Sequence, residues 1–446
     1  MKTFLLLLSG SCLGQYYSPF DLSNDDAIGD IELTLNQGNI TGLRFDGFDV
    51  YRGVRYAKPN PGRFEHAEMI DVFLNETSDA RNFRPTCFQQ IGFSFAGLDD
   101  PLKMTTFYQD GLISEDCLTL DIYMPHHTAN GTSRGVLFWI HGGGYTSGDS
   151  RMYTGVEHAL GEGNVVVIIQ YRLGVFGFLN AYDTVAQKSV GGNYGLSDAS
   201  LALDFIHQNA LNLNARQNGI VVNGESAGAG MIMALLLHDA TASKISGGTS
   251  FNFFTSVDSP VRYFTANSAS INSYITSSYC SLIATCNTTD PIVDQVWNGL
   301  KQADPVELFS LDLFNQAMTG FGWTPIGRDD HFYNNGDDAK AKYDRGEVNT
   351  GVDLVIGFNS YEASFLQPYM TALAYSTVDE ILAILNYGFG LFSFVDDLNA
   401  MKSTELTLSD HYDELLNQFQ SFSRHKELTQ LDILFLSKLK LLVSGV

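Results

Sequence analysis

The pentapeptide GESAG at residues 224–228 constrains this chain more than any other feature of its sequence. It lies between an apolar run at residues 220–222 and a helix-like apolar run at residues 229–237. This arrangement predicts a buried strand, a tight turn that carries Ser226, and a helix, in that order. Both glycines are needed because such a turn has strained backbone angles and lies close to its neighbours. Without further context, the same five residues would fit an ordinary glycine-serine loop.

A glycine-rich loop upstream supplies that context. An apolar run at residues 135–140 predicts a strand, and it leads directly into HGGG at residues 141–144. Main-chain N–H groups of such loops bind the oxygen that becomes negatively charged when a serine attacks a carbonyl group. We therefore expect the amides of Gly143, Gly144 and Ala227 to form an oxyanion hole. The alternative is a glycine turn that only reverses the chain or binds phosphate.

The remaining apolar pattern predicts an α/β fold with a central, mostly parallel sheet flanked by helices. Strands are predicted at residues 135–140, 165–171, 219–222 and 353–358. Between two of them, residues 197–210 have the apolar spacing of a helix. The chain has 446 residues, 44% of them hydrophobic, and no proline- or serine-rich linker. We therefore expect one domain over residues 15–446.

Four further segments, together with these two motifs, resemble the type B carboxylesterase/cholinesterase family of α/β-hydrolases. They are GVRYAKP at residues 53–59, SEDCLTLDIY at 114–123, YRLG at 171–174 and GNYGLSD at 192–198. The first is similar to the family's N-terminal GIPYAxPP segment, and the second matches another family signature closely. All six motifs stand in the family's order, so the resemblance extends along nearly the whole chain.

The resemblance implies a serine hydrolase that cleaves small carboxylic esters through an acyl intermediate on Ser226, with no cofactor. Because a serine hydroxyl is a weak nucleophile, a base must remove its proton and a carboxylate must orient that base. The segment GFNSYEASFL at residues 357–366 resembles the family's GxNxDEGxxF segment. It departs from that pattern at three positions but retains the glutamate, so we assign the acid to Glu362. Scattered histidines and the absence of Cys-x-x-Cys spacing predict no metal site.

The sequence does not supply the expected catalytic histidine. In the family this residue lies in a GxxHGxE-like segment more than a hundred residues after the acid, whereas only 84 residues follow Glu362 here. His411 and His425 lie in charged, helix-like surroundings that do not resemble that segment. His141 matches a family position that is not the base. We therefore expect a C-terminally incomplete α/β-hydrolase.

Two hypotheses from different classes follow. The chain is either a serine esterase with weak or lost activity, or a catalytically inactive, cholinesterase-like binding or adhesion protein. The elbow serine and the intact glycine loop favour the esterase, because a binding module has no need of an exposed nucleophile. Cholinesterases hold the quaternary ammonium with a tryptophan that is Phe107 here. A general carboxylesterase is therefore expected rather than a choline-specific one.

The N-terminus indicates export. Residues 1–14 have one positive charge, a short apolar core and small residues at the end, which predicts a secretory signal peptide. No later apolar stretch reaches the roughly 18 residues that span a membrane, so a secreted, extracellular protein is expected. Four sequons are consistent with a glycosylating compartment. They are at Asn39, Asn75, Asn130 and Asn287.

Cysteine content and charge add two expectations. Cys12 falls within the signal peptide, and the other four cysteines allow three pairings. The family resemblance favours Cys87–Cys117 and Cys280–Cys286. The chain carries 50 acidic and 26 basic residues, a formal net charge of −24, which argues against nucleic-acid binding. The sequence predicts no particular oligomeric state.

Overall fold

The computed structural model describes most of the chain between residues 23 and 357. The described residues are 23–89, 109–127, 134–183, 188–251, 292–311, 324–326, 329, 333, 342, 345–347 and 351–357. The signal peptide expected at residues 1–14, and everything after residue 357, lie outside them.

The first seven strands precede the first α-helix, and helices are interspersed with the strands only from residue 156 onward. The strands are β1 (Gly29–Leu35), β2 (Gly38–Phe45), β3 (Phe48–Arg55), β4 (Thr86–Cys87), β5 (Ile113–Ser114), β6 (Thr119–Pro125), β7 (Arg134–Ile140), β8 (Val165–Ile169), β9 (Asn180–Asp183), β10 (Lys188–Gly191), β11 (Ala215–Glu225), β12 (Gly247–Phe251) and β13 (Asp353–Gly357). The α-helices are α1 (Val156–Glu162), α2 (Gly174–Phe178), α3 (Tyr194–Asn209), α4 (Ala227–Leu237), α5 (Asp239–Ala242) and α6 (Ile292–Gln302). None of these helices is long and apolar enough to cross a membrane.

A nine-stranded sheet forms the centre, in the spatial order β1-β2-β3-β6-β8-β7-β11-β12-β13. The expectation that this sheet is mostly parallel is wrong, because only four of its eight neighbouring strand pairs are parallel. In this spatial order, the strand pairs between β1 and β8 are antiparallel. Those between β8 and β13, which include β8 with β7, are parallel. Short hairpin turns join β1 to β2 and β2 to β3, and a connection of that length forces antiparallel pairing. The prediction was based on the later strands, which alternate with α1, α3 and α4.

The predicted strands and helix are present with shifted ends. The strands predicted at residues 135–140, 165–171, 219–222 and 353–358 fall in or overlap β7, β8, β11 and β13, and residue 358 lies outside the described residues. The helix predicted at residues 197–210 is α3, which begins three residues earlier. Its start is set by Asn193, whose backbone is left-handed with φ of 58°. The Asn193 side chain also hydrogen-bonds the backbone of Ile326.

Two apolar layers cover the sheet. One layer includes Val165, Val167 and Ile169 of β8 together with the apolar faces of α3 and α4. The other includes Val166 and Ile168 of the same strand, packed with residues of α1. Successive strand residues point to opposite faces, so the unbroken apolar run of β8 is explained by burial on both sides. This arrangement is that of an α/β protein.

Candidate active site

Ser226 lies on the tight turn between β11 and α4. β11 ends at Glu225, α4 begins at Ala227, and the serine between them has φ of 55° and ψ of −120°. A positive φ costs a non-glycine residue about 1–3 kcal/mol and persists only where the surrounding structure enforces it. The predicted strand–turn–helix is therefore confirmed. The side chain lies below the surface, with Ser226 8% exposed.

The two glycines of the pentapeptide allow three backbone segments to meet. A Cβ atom at Gly228 would overlap the carbonyl oxygen of Ile140, at the end of β7. A Cβ atom at Gly224 would lie 2.7 Å from the Gly228 carbonyl carbon. The first turn of α4 thus packs directly against the end of β7. That contact places Ser226 beside the loop that follows β7.

The glycine-rich loop is in contact with the elbow. A Cβ atom at Gly142 would lie 3.0 Å from the Ser226 Cβ atom and would overlap the Glu225 carboxylate. Gly143 and Gly144 follow with φ of 114° and 64°, conformations that favour glycine. The structure therefore brings together the HGGG and GESAG motifs, which are about 80 residues apart in the sequence.

The proposed oxyanion donors have no partner among the described residues. None of the hydrogen bonds within the described chain uses the N–H groups of Gly143, Gly144 or Ala227. Ala227 is also the first residue of α4, where the helix dipole favours negative charge.

His141 supports the loop as a neutral side chain. It is 1% exposed, and its Nδ1 atom lies 2.9 Å from the Gly142 carbonyl oxygen. Because that carbonyl can only accept, Nδ1 must carry the proton. Burial lowers the pKa of the imidazole, which keeps it uncharged at neutral pH. The Tyr171 ring stacks on it, with ring centroids 4.5 Å apart, and the Tyr171 hydroxyl donates to the His141 carbonyl at 2.8 Å. Sequence reasoning did not single out Tyr171, although it begins the YRLG motif.

Ion pairs connect the other family motifs in pairs. Arg55 of GVRYAKP donates two hydrogen bonds, of 2.6 and 2.7 Å, to Asp116 of SEDCLTLDIY. Arg172 of YRLG donates two of 2.7 Å to Asp198 of GNYGLSD. Each pair ties together two segments that are distant in sequence. The charged residues of these four motifs therefore have a structural role. The candidate catalytic groups are those of the elbow and the glycine-rich loop.

One of the two expected disulfides is present. Cys87 and Cys117 are bonded, with Cα atoms 5.0 Å apart. The other expected site residues that lie outside the described part of the chain are Glu362, Cys280, Cys286, Asn130, Asn287, His411, His425 and Phe107. Of the two described sequons, Asn39 is exposed on β2, and Asn75 begins a single 3₁₀ turn. Among the described residues, no group of three or more His, Cys, Asp or Glu side chains could hold a metal ion.

The sequence profile of the Carboxylesterase family matches residues 29–426. Cocaine esterase of Oryctolagus cuniculus is 34% identical over 194 residues, which are 43% of this chain and 35% of that protein. Acetylcholinesterase 4 of Caenorhabditis briggsae is 29% identical over 360 residues, which are 78% of this chain and 56% of that protein. The match thus spans 35% to 56% of the length of these two relatives.

Two solved structures share the fold. The carboxylesterase of Geobacillus stearothermophilus has a TM-score of 0.61 at 24% identity, and the match covers 80% of this chain and 68% of that one. The juvenile hormone esterase of Manduca sexta has a TM-score of 0.65 at 22% identity, and the match covers 92% of this chain and 72% of that one. The profile covers most of the chain, and the nucleophile elbow and the glycine loop meet as an α/β-hydrolase requires. The chain therefore belongs to the carboxylesterase family.

Proposed function

We propose that this protein is a serine hydrolase that cleaves carboxylic esters of small molecules through an acyl intermediate on Ser226. The observation that carries the proposal is the strained backbone of Ser226, at φ of 55°, directly beside the glycine loop. Membership of the Carboxylesterase family supports an ester-hydrolase ancestry. The relatives named above are esterases, and the names of other relatives include a fatty acyl-CoA hydrolase and an acylcarnitine hydrolase. We therefore assign a substrate class and no single ester.

In the proposed acylation, Ser226 Oγ attacks the ester carbonyl carbon and the carbonyl oxygen becomes an oxyanion. The amides of Gly143, Gly144 and Ala227 donate to that oxygen, and the positive end of α4 adds to the stabilisation. Collapse of the tetrahedral intermediate expels the alcohol and leaves the acyl group on the serine. Water then attacks the acyl group and restores the hydroxyl.

The proton of the serine must pass to a base and then to the leaving alcohol. We propose Glu362 as the carboxylate that orients that base, on the resemblance of its segment to the family's acid segment. No histidine of this sequence stands in a family-type base segment. Loss of one triad member typically leaves about 10³–10⁴-fold catalysis over water, from the oxyanion hole and binding. A protein of this family without the base would therefore be expected to hydrolyse esters slowly.

We also propose that the protein is secreted, after removal of residues 1–14, and N-glycosylated. The Cys87–Cys117 disulfide supports an oxidising compartment, and the exposed position of Asn39 allows modification there. Removing N-glycans from the secreted protein should lower its apparent mass. Retention of the whole protein inside cells that express it, with no change in mass, would contradict this proposal.

The function is tested by incubating the purified chain with an organophosphonate probe and with p-nitrophenyl acetate. We expect covalent labelling of the peptide that contains Ser226, in the folded protein only, and slow hydrolysis of the ester. Ser226→Ala should abolish both while leaving the melting temperature nearly unchanged. A folded wild-type chain that neither labels nor hydrolyses would refute the esterase and leave the alternative, a catalytically inactive binding or adhesion protein.

A further inference from the structure

The side chain of Gln89 forms a two-point contact with the backbone of Gly148. Gln89 Nε2 donates to the Gly148 carbonyl oxygen at 2.7 Å, and the Gly148 N–H donates to Gln89 Oε1 at 2.8 Å. The same Nε2 atom also lies 2.7 Å from the Thr86 hydroxyl. Gln89 is 6% exposed. A buried amide with both ends bonded is held in one orientation, because breaking either bond leaves a buried polar group unsatisfied.

Gly148 in turn lies directly behind the glycine loop. It has φ of 128°, and a Cβ atom there would overlap the His141 imidazole and lie 2.6 Å from the Gly142 carbonyl oxygen. Gly142 is the residue that packs against Ser226. A continuous series of contacts therefore runs from Gln89 through Gly148 to the loop that faces the nucleophile.

The other end of this series is anchored covalently. Cys87, two residues before Gln89, is bonded to Cys117. Thr86 and Cys87 form β4, which pairs with β5. The backbone that carries Gln89 is thus held in place by the disulfide, and Gln89 lies 59 residues before Gly148 in the sequence.

We propose that Gln89 is a positioning residue of the oxyanion hole. It holds Gly148 so that residues 141–144 keep their distance and orientation toward Ser226, and the Cys87–Cys117 disulfide fixes where Gln89 stands. This inference rests on the proposed function, since it concerns the same hole. Gln89 does not touch the substrate. Its effect on the reaction passes entirely through the backbone of the loop.

The chemistry of the contact requires a glutamine. A glutamate at this position would turn an acceptor toward the Gly148 carbonyl oxygen, and it would bury a charge. A methionine would fill the space but would leave the Gly148 N–H and carbonyl groups unsatisfied. A shift of about 1 Å in the groups that stabilise a transition state can lower the reaction rate by up to about 10²-fold. The affinity for the unreacted molecule changes much less.

The test separates the saturated rate of Ser226 phosphonylation from the affinity for the organophosphonate probe. For Gln89→Glu and Gln89→Met we expect the saturated rate to fall about tenfold or more, with the probe's affinity changed less than about threefold. The matched control is Gln37→Glu. Gln37 is equally buried, at 7%, and its side-chain partners are Met69 and Asn209. The control should lower the melting temperature yet leave the saturated rate within about twofold.

Equal rate losses in Gln89→Met and Gln37→Glu, or an unchanged rate in the folded Gln89 variants, would overturn the proposal. Amide hydrogen exchange gives a readout that does not need the reaction. We expect faster exchange over residues 141–148 in Gln89→Met and wild-type exchange there in Gln37→Glu. If the wild type fails to label, the proposed function fails, and unchanged exchange in the Gln89 variant would then separately refute the positioning role.

Discussion

Arg172 and Asp198 form a two-point ion pair whose side chains are only 4% and 0% exposed. The Arg172 guanidinium also donates to the Glu65 carbonyl oxygen at 2.8 Å, and the Arg172 N–H donates to Asp198. The pair thereby ties the loop after β8 to the first turns of α3. Tyr171, which supports the carbonyl of His141, immediately precedes the arginine. Residues 171 and 172 therefore contribute both to the buried ion pair and to the support of the glycine-rich loop.

Breaking this pair on one side should be costly. Asp198→Asn leaves the buried Arg172 charge without its counter-charge, and we expect a loss of about 3–5 kcal/mol in the free energy of unfolding. Urea denaturation at pH 7 measures it. Lys58→Gln is the control, because Lys58 pairs with Glu68 and Asp71 at the surface, where such pairs contribute at most about 1 kcal/mol. Similar losses in the two variants would contradict the structural role of the buried pair.

Gly228→Ala should harm both stability and reactivity. The added methyl group would overlap the Ile140 carbonyl oxygen, and backbone atoms can relieve that overlap only by moving α4 away from β7. We expect a loss of about 1–3 kcal/mol or more and slower labelling of Ser226. Gly161→Ala in α1 is the control, because a Cβ atom there would meet nothing within 4 Å. That change should stabilise the protein by up to about 1 kcal/mol. A wild-type labelling rate in Gly228→Ala would show that the contact does not set the elbow.

His141 should make the protein less stable in acid. Its folded-state pKa lies below its usual value because of burial, so the neutral form is favoured by folding. The contribution is fully present above the unfolded pKa of about 6.5 and is lost as the pH falls below it. His141→Asn keeps a donor for the Gly142 carbonyl and removes the titration. We expect a smaller loss of stability between pH 7.5 and 5.5 in this variant than in the wild type, measured by urea midpoints. An identical loss of stability in His141→Asn and the wild type would show that His141 is not the group responsible.

Asp121 should have the opposite pH dependence. Burial raises its pKa to about 6, although the Gly53 N–H donates to it at 2.7 Å. A raised pKa favours the uncharged form, so its contribution is present below the unfolded value of about 3.9 and is lost as the pH rises through 6. Asp121→Asn keeps an acceptor for Gly53 and cannot ionise. Relative to the wild type, we expect it to gain stability from pH 4 to pH 8, on the order of 2 kcal/mol. A constant difference between the two proteins would refute this.

The sequence could predict those strands, helices and turns whose defining residues are neighbours in the chain. The turn at Ser226 could be predicted because the glycines and the apolar runs that define it are adjacent in sequence. The hairpins of β1, β2 and β3 were missed, and with them the mixed character of the sheet, because these strands lack an unbroken apolar run like that of β8. The contact of Gln89 with Gly148 has no local signal, since it joins residues 59 positions apart. The acid at Glu362 and the second disulfide stay predictions.

The close approach of Gly228 to Ile140 means that bare main chain sets how near the first turn of α4 lies to the end of β7. Side chains elsewhere on β7 and α4 can then change during evolution without altering that spacing. A spacing that is fixed by the main chain in this way would let the same backbone arrangement persist in relatives that accept widely different molecules.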